Sequence, residues 1–190
     1  MAFLTITGGN TMDVQLAGLV EESVVDGPGM RFVIFTQGCE HHCVGCHNPQ
    51  THDPNGGETV SVDWLKERID AQKLIRGITF SGGEPFMQAE AMAELARYAK
   101  GKKLHTLAYT GYTFEELLVM SKTDNGVRDF LSSLDMIVDG PFVLAERDIT
   151  LKFRGSKNQR LLDAVKSLAQ GKAVLWEDPN EVMLRQFHRD

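Results

Sequence analysis

Met30-Arg-Phe-Val-Ile-Phe-Thr36 runs through Gln37-Gly38 into Cys39-Glu-His-His-Cys43-Val-Gly-Cys46. The first segment is rich in β-branched and aromatic residues and reads as a strand; the second reads as a polar loop at its carboxyl end. Gln15–Val24 is a second strand, joined to the first through the turn-forming Asp26-Gly27-Pro28-Gly29. Downstream, strands at Gly77–Phe80, Leu104–Tyr109 and Met136–Val138 alternate with helices. The helices are expected at Val62–Leu74 behind a Ser61 cap, at Ala89–Ala99, from about Phe114 to Met120, at Val127–Ser132 and at Asn158–Ala169. Thr113 and Glu116 have the spacing of a capping box. Ala173–Trp176 is a candidate last strand. The alternation predicts an α/β fold with a parallel sheet of about five to six β/α units, too short a chain for a closed eightfold barrel. Polar, glycine-bearing segments follow Thr36, Phe80, Tyr109 and Val138. Ligands of parallel α/β folds collect at the carboxyl ends of strands, so these four loops are expected to meet at one site.

Composition narrows the classes. The chain has 190 residues, 42% hydrophobic and 24% charged, with a formal net charge of -6. That fits one domain over residues 1–190 and argues against a general nucleic-acid surface. Residues 1–13 read as an optional N-terminal extension, Met12 being an alternative start, and residues 178–190 as a polar C-terminal tail. No apolar run reaches the roughly 18 residues of a membrane span. The first residues lack the pattern of a secretory signal. All three cysteines fall in one eight-residue loop, unlike the even, dispersed set of a disulfide framework. A reducing, cytoplasmic location with thiols kept for a metal is the expectation.

Cys39, Cys43 and Cys46 are therefore the candidate metal ligands. Zinc would need a fourth ligand, for which His41, His42, His47 and His52 are available. A cubane iron–sulfur cluster ordinarily takes four cysteines, so three would leave one iron open to an outside ligand. Structural zinc sites usually pair two ligand sets across a longer stretch, and no second cysteine pair exists here. The spacing favours the cluster and keeps two alternatives, a zinc-binding interaction module and merely clustered thiols.

Cys-x3-Cys-x2-Cys after an early strand resembles the radical S-adenosylmethionine (SAM) enzymes. Asp26-Gly27-Pro28-Gly29-Met30-Arg31, Cys46-His47-Asn48-Pro49 and Ser81-Gly82-Gly83-Glu84-Pro85 resemble the activases of glycyl-radical enzymes within them. Tyr109-Thr110-Gly111-Tyr112, Val138-Asp139-Gly140-Pro141-Phe142 and Arg154-Gly155-Ser156-Lys157-Asn158-Gln159 are similar to the branch acting on anaerobic (class III) ribonucleoside-triphosphate reductase. So is Gly45, a small residue before the third cysteine. Pyruvate formate-lyase activases share the Cys-His-Asn stretch.

The resemblance implies a partial (β/α) barrel, a [4Fe-4S] cluster on the three cysteines, and SAM on the open iron. Reductive cleavage of SAM then leads to a glycyl radical on the partner enzyme, with a flavodoxin or ferredoxin as electron donor. It also implies SAM contacts from Gly45, Cys46, His47, Ser81, Gly82, Gly83 and Glu84, and from Asp139 and Arg154 further along. No catalytic residue beyond the cluster ligands is implied. Read without the resemblance, Ser81–Pro85 is an ordinary turn, Asp139 a turn residue or a carboxylate for a ribose hydroxyl or a basic neighbour, Arg154 a surface charge, and Tyr109 and Tyr112 core aromatics. Asp26–Arg31 is a candidate contact for the partner's glycine loop or simply a turn.

Overall fold

The structure is a computed structural model that describes residues 12–178. The chain forms strands β1 (Asp13–Ser23) and β2 (Arg31–Thr36), then β3 (Glu58–Ser61) and helix α1 (Val62–Ala71). Next come β4 (Gly77–Gly82), α2 (Ala89–Gly101), β5 (His105–Tyr109), α3 (Phe114–Met120) and α4 (Asn125–Ser132). β6 (Met136–Asp139), β7 (Arg160–Asp163) and α5 (Ala164–Gln170) complete it. One open seven-stranded sheet has the order β3-β1-β2-β4-β5-β6-β7. Only β2, β4, β5 and β6 run parallel; β1 pairs antiparallel with β2 and β3, and β7 antiparallel with β6. The expected α/β class is present, with four parallel strands where five to six β/α units were expected.

Alternation along the parallel strands divides the sheet into two faces. Phe32, Ile34, Ile78, Phe80, Ala108, Ile137 and Leu162 join the core formed with the apolar sides of the helices. On the opposite face Leu107, Met136, Val138 and Leu161 make a smaller cluster, joined by Tyr109, Phe153 and Trp176. Helices thus cover one face, while loops cover the other.

Local signals account for most element ends. Ser61 Oγ accepts from Trp64 N at the start of α1, and Thr113 and Glu116 complete the capping box of α3. The helix expected over Asn158–Ala169 is instead β7 followed by α5. Leu161 and Leu162 go to opposite faces of the sheet, as neighbours on a strand must, and Asp163 caps the shorter helix by accepting from Lys166 N. The last strand is reduced to a bridge between Leu162 and Leu175. β3 was not expected; it forms because Asp13–Leu16 of β1 offers it an edge. Asp13 belongs to β1, so the N-terminal extension stops short of it, and its first eleven residues lie outside the described ones. The tail at residues 178–190 lies outside them beyond Asp178.

Candidate functional site

A cavity of about 560 Å³ opens at the carboxyl ends of the parallel strands. All four expected loops reach it: Cys39, Cys43, Cys46 and His47 after β2, Ser81, Gly82 and Gly83 at the end of β4, Thr110 and Gly111 after β5, and Gly140 and Phe142 after β6. Its volume lies within the roughly 300–1,000 Å³ of small-molecule and cofactor pockets. Arg154 and Gln159 add a further wall, and Phe35 and Tyr109 reach it from the loop-covered face of the sheet. Burial pushes the Tyr109 phenol upward, so it stays protonated.

The thiol loop is folded by its own backbone. Gly38 N donates to Thr51 O at 2.8 Å, Cys39 N to His52 O at 3.2 Å, and Cys46 N to Cys43 O at 3.1 Å. Asn48 N donates to Cys46 Sγ at 3.4 Å. Burial, then Glu84 and the two other thiols, raises the Cys39 pKa. A positively charged centre bound among these sulfurs would favour the thiolates instead. Among the described residues, no three His, Cys, Asp or Glu side chains are gathered closely enough for a single metal ion.

Gly82 and Gly83 are fixed by close approach to the end of β2. Gly83 N donates to Thr36 O at 2.7 Å and Glu84 N to Gly38 O at 2.7 Å. A β-carbon on Gly83 would come within 2.2 Å of Gly38 O, and one on Gly82 within 2.5 Å of Thr36 N. The glycine pair locks the β4 loop onto the thiol loop and leaves its backbone along the cavity wall.

Two carboxylates expected at the cofactor face elsewhere. Glu84 is fully buried, and its Oε1 accepts from Phe86 N at 3.0 Å. Its Oε2 accepts from His41 Nε2 at 2.8 Å, Thr110 Oγ1 at 3.0 Å and Gly111 N at 2.9 Å. Asp139, also buried, accepts from Phe114 N at 2.7 Å and from Arg160 Nε at 3.0 Å and Nη2 at 2.5 Å. It is a helix-end acceptor and half of a two-pronged ion pair, so its side chain is not a cavity wall. Arg160 was not singled out, because nothing local ties it to a residue 21 positions earlier.

Arg154 does line the cavity. Its Nη1 donates to Gln159 O at 3.2 Å, while Nε is buried with no hydrogen-bond partner. Gly45 sits behind the loop, where a β-carbon would touch the Leu144 side chain at 3.0 Å. His47 packs against Phe142, with ring centroids 4.8 Å apart. Of the Asp26–Arg31 segment, Asp26 lines the cavity and Arg31 is fully buried.

The donor set fits an iron–sulfur cofactor and a small polar ligand: three thiols on one wall, close-packed glycine backbone beside them, and an unpartnered guanidinium nitrogen. A family described as a 4Fe-4S single cluster domain matches residues 25–162, which makes this an iron–sulfur protein of that class. The anaerobic ribonucleoside-triphosphate reductase-activating protein of Enterobacteria phage T4 is 32% identical over 145 residues, 72% of this chain and 86% of that one. Its counterpart from Vibrio cholerae serotype O1 is 33% identical over 145 residues, 72% and 89% of the two chains. The pyruvate formate-lyase 1-activating enzyme of Escherichia coli K12 is 32% identical over 183 residues, 87% and 71%. The chain belongs to the radical SAM activases of glycyl-radical enzymes, a family of enzymes working with a [4Fe-4S] cluster and SAM. Among the described residues no helix is long and apolar enough to cross a membrane.

Proposed function

We propose that this protein installs the glycyl radical on anaerobic ribonucleoside-triphosphate reductase, in the cytoplasm, with a reduced flavodoxin or ferredoxin as electron source. Cys39, Cys43 and Cys46 hold the cluster as thiolates. The cluster, when bound, supplies the electron that splits SAM between sulfur and the 5′ carbon. The backbone of Ser81, Gly82 and Gly83 holds the amino end of SAM, and Arg154, with its free Nε, takes the carboxylate. His47, braced by Phe142, shapes the approach. Glu84 and Asp139 act indirectly, by fixing the loops that carry these groups. The sheet is read as the partial (β/α) barrel of radical SAM enzymes, within a single domain.

The observation that carries this reading is one cavity lined by all three thiols, the glycine pair and Arg154. Identity to reductase activators from a phage and a bacterium favours the reductase as target. A second reading, activation of pyruvate formate-lyase, rests on the 183-residue match to an activator of that enzyme. Anaerobic protein with reduced cluster and SAM is incubated with each candidate enzyme, and the radical is recorded by electron paramagnetic resonance. A glycyl signal on the reductase is expected, and one on the lyase alone overturns the assignment. Iron and sulfide analysis tests the site itself. About four irons per chain are expected, lost in Cys43→Ala, whereas a colourless protein holding one zinc would sink the reading.

A further inference from the structure

His41 stands in the middle of the thiol loop, two residues from each of Cys39 and Cys43. Its imidazole reaches 2.8 Å to Glu84, a carboxylate with no solvent access that also takes Thr110 Oγ1 and Gly111 N on the same oxygen. The ring has a prepared berth. A β-carbon on Gly111 would lie 2.3 Å from His41 Cδ2, so only glycine admits the imidazole there. Tyr112 closes the other side edge-on, with centroids 4.6 Å apart, and its hydroxyl bonds to Glu40 of the same loop. The thiol loop is otherwise joined to the β4 loop through backbone, whereas among the described residues its hydrogen bonds toward the loop after β5 run through these side chains.

Resting on the reading that the three thiols hold the cluster, we propose that His41 is a positioning residue. Its bond to Glu84 ties the thiol loop to the loops after β4 and β5, and this tie sets how firmly the cluster is retained. The buried carboxylate is the shared anchor. Its Oε1 is fixed by Phe86 N, so it cannot swing to follow a moving thiol loop. Loss of the imidazole leaves Cys39–Cys43 held by backbone, the exposed Tyr112–Glu40 bond and the His42–His52 ring contact, on a segment that includes the positive-φ His42. The effect is expected on release of iron more than on its initial uptake, because the thiols themselves are unchanged.

The test uses wild-type protein, His41→Ala, His41→Gln, Glu84→Gln and the His41→Ala/Glu84→Gln pair, each reconstituted anaerobically with iron and sulfide. Iron release to an excess of chelator is followed by absorbance, and the reduced cluster by electron paramagnetic resonance. His41→Ala should release iron about tenfold faster, the size of effect typical of groups that support metal ligands. His41→Gln, which keeps an N–H for the carboxylate, should restore most of the retention. The double variant should be no faster than the quicker single variant, as expected for two ends of one contact. Release from His41→Ala at the wild-type rate overturns the proposal, as does a glutamine variant no better than alanine or fully additive effects. Failure of the wild-type protein itself to take up iron would instead refute the cluster reading, and so the two are separable.

Discussion

Two fully buried charges sit on the sheet and are handled in opposite ways. Glu84 lies at the carboxyl ends of the parallel strands and Arg31 at the start of β2. Arg31 donates to Thr79 Oγ1, Pro28 O, Ile78 O and His105 O, and meets His105 Nδ1 at 3.3 Å. All five of its N–H groups are used, mostly on backbone of the sheet and of the Asp26–Gly29 turn, with no carboxylate ion-paired to it among the described residues. Burial depresses its pKa to about 10, which leaves it charged at neutral pH. Glu84 instead gathers donors from three loops, the thiol loop's being the His41 imidazole. The charge at the amino end staples regular structure, whereas the one at the carboxyl end staples the loops of the site. Even the histidines differ: the bond to Glu84 raises the His41 pKa, while burial and then Arg31 lower that of His105.

Removing each charge separates the two roles. Arg31→Met should cost about 3–5 kcal/mol, since several buried acceptors lose their donor at once. Denaturant unfolding measures this, and Arg31→Lys should recover only part of it because an ammonium cannot reproduce the planar fork. Glu84→Ala should cost less, about 2–3 kcal/mol, because the orphaned groups lie in loops that can relax toward water. Hydrogen exchange should quicken at the Gly111 and Phe86 amides and stay slow in β4. Uniform exchange across the sheet would erase the distinction between the two charges. Asp139→Asn is intermediate in kind, a loop-end carboxylate with a partly exposed partner, and should cost about 1–2 kcal/mol by thermal melting.

The smallest effect concerns pH. The folded pKa of His105 lies below the unfolded value of 6.5, so the unfolded chain binds the proton first as pH falls. The stability that depends on neutral His105 is complete above that value and declines below it. Unfolding midpoints compared at about pH 7.5 and about pH 5.5 should show the decline, and His105→Gln should flatten it. An unchanged slope in that variant would remove His105 from the account of the amino end.

The sequence reveals these regions unequally. α3 spans the residues expected because its start is written locally, in Thr113 and Glu116. The meeting of four loops also follows from strand order alone. β7 reads as helix because Arg160, Leu161 and Leu162 are good helix formers, and its strand state comes from pairing with β6 and from the Asp139–Arg160 contact. Glu84 and Asp139 stand out in the sequence as cofactor contacts, yet protein donors fill both carboxylates, and for Asp139 one of them is a basic neighbour, Arg160. The donors that claim them, Gly111 N in a loop and Phe114 N at the start of α3, arrive from more than twenty positions away. No local pattern tells which way a turn carboxylate points.

The small apolar cluster on the loop-covered face bears on how such an enzyme can be reshaped. Tyr109 and Phe153 rest on Leu107, Met136, Val138 and Leu161 and also face the cavity, so this cluster is the underside of the chamber. Trimming Leu107 or Met136 would deepen the chamber from below, with the thiol loop and the helix-covered core untouched. Accommodating a bulkier polypeptide segment therefore need not begin at the chemistry; the upholstery beneath it is a separate and adjustable part.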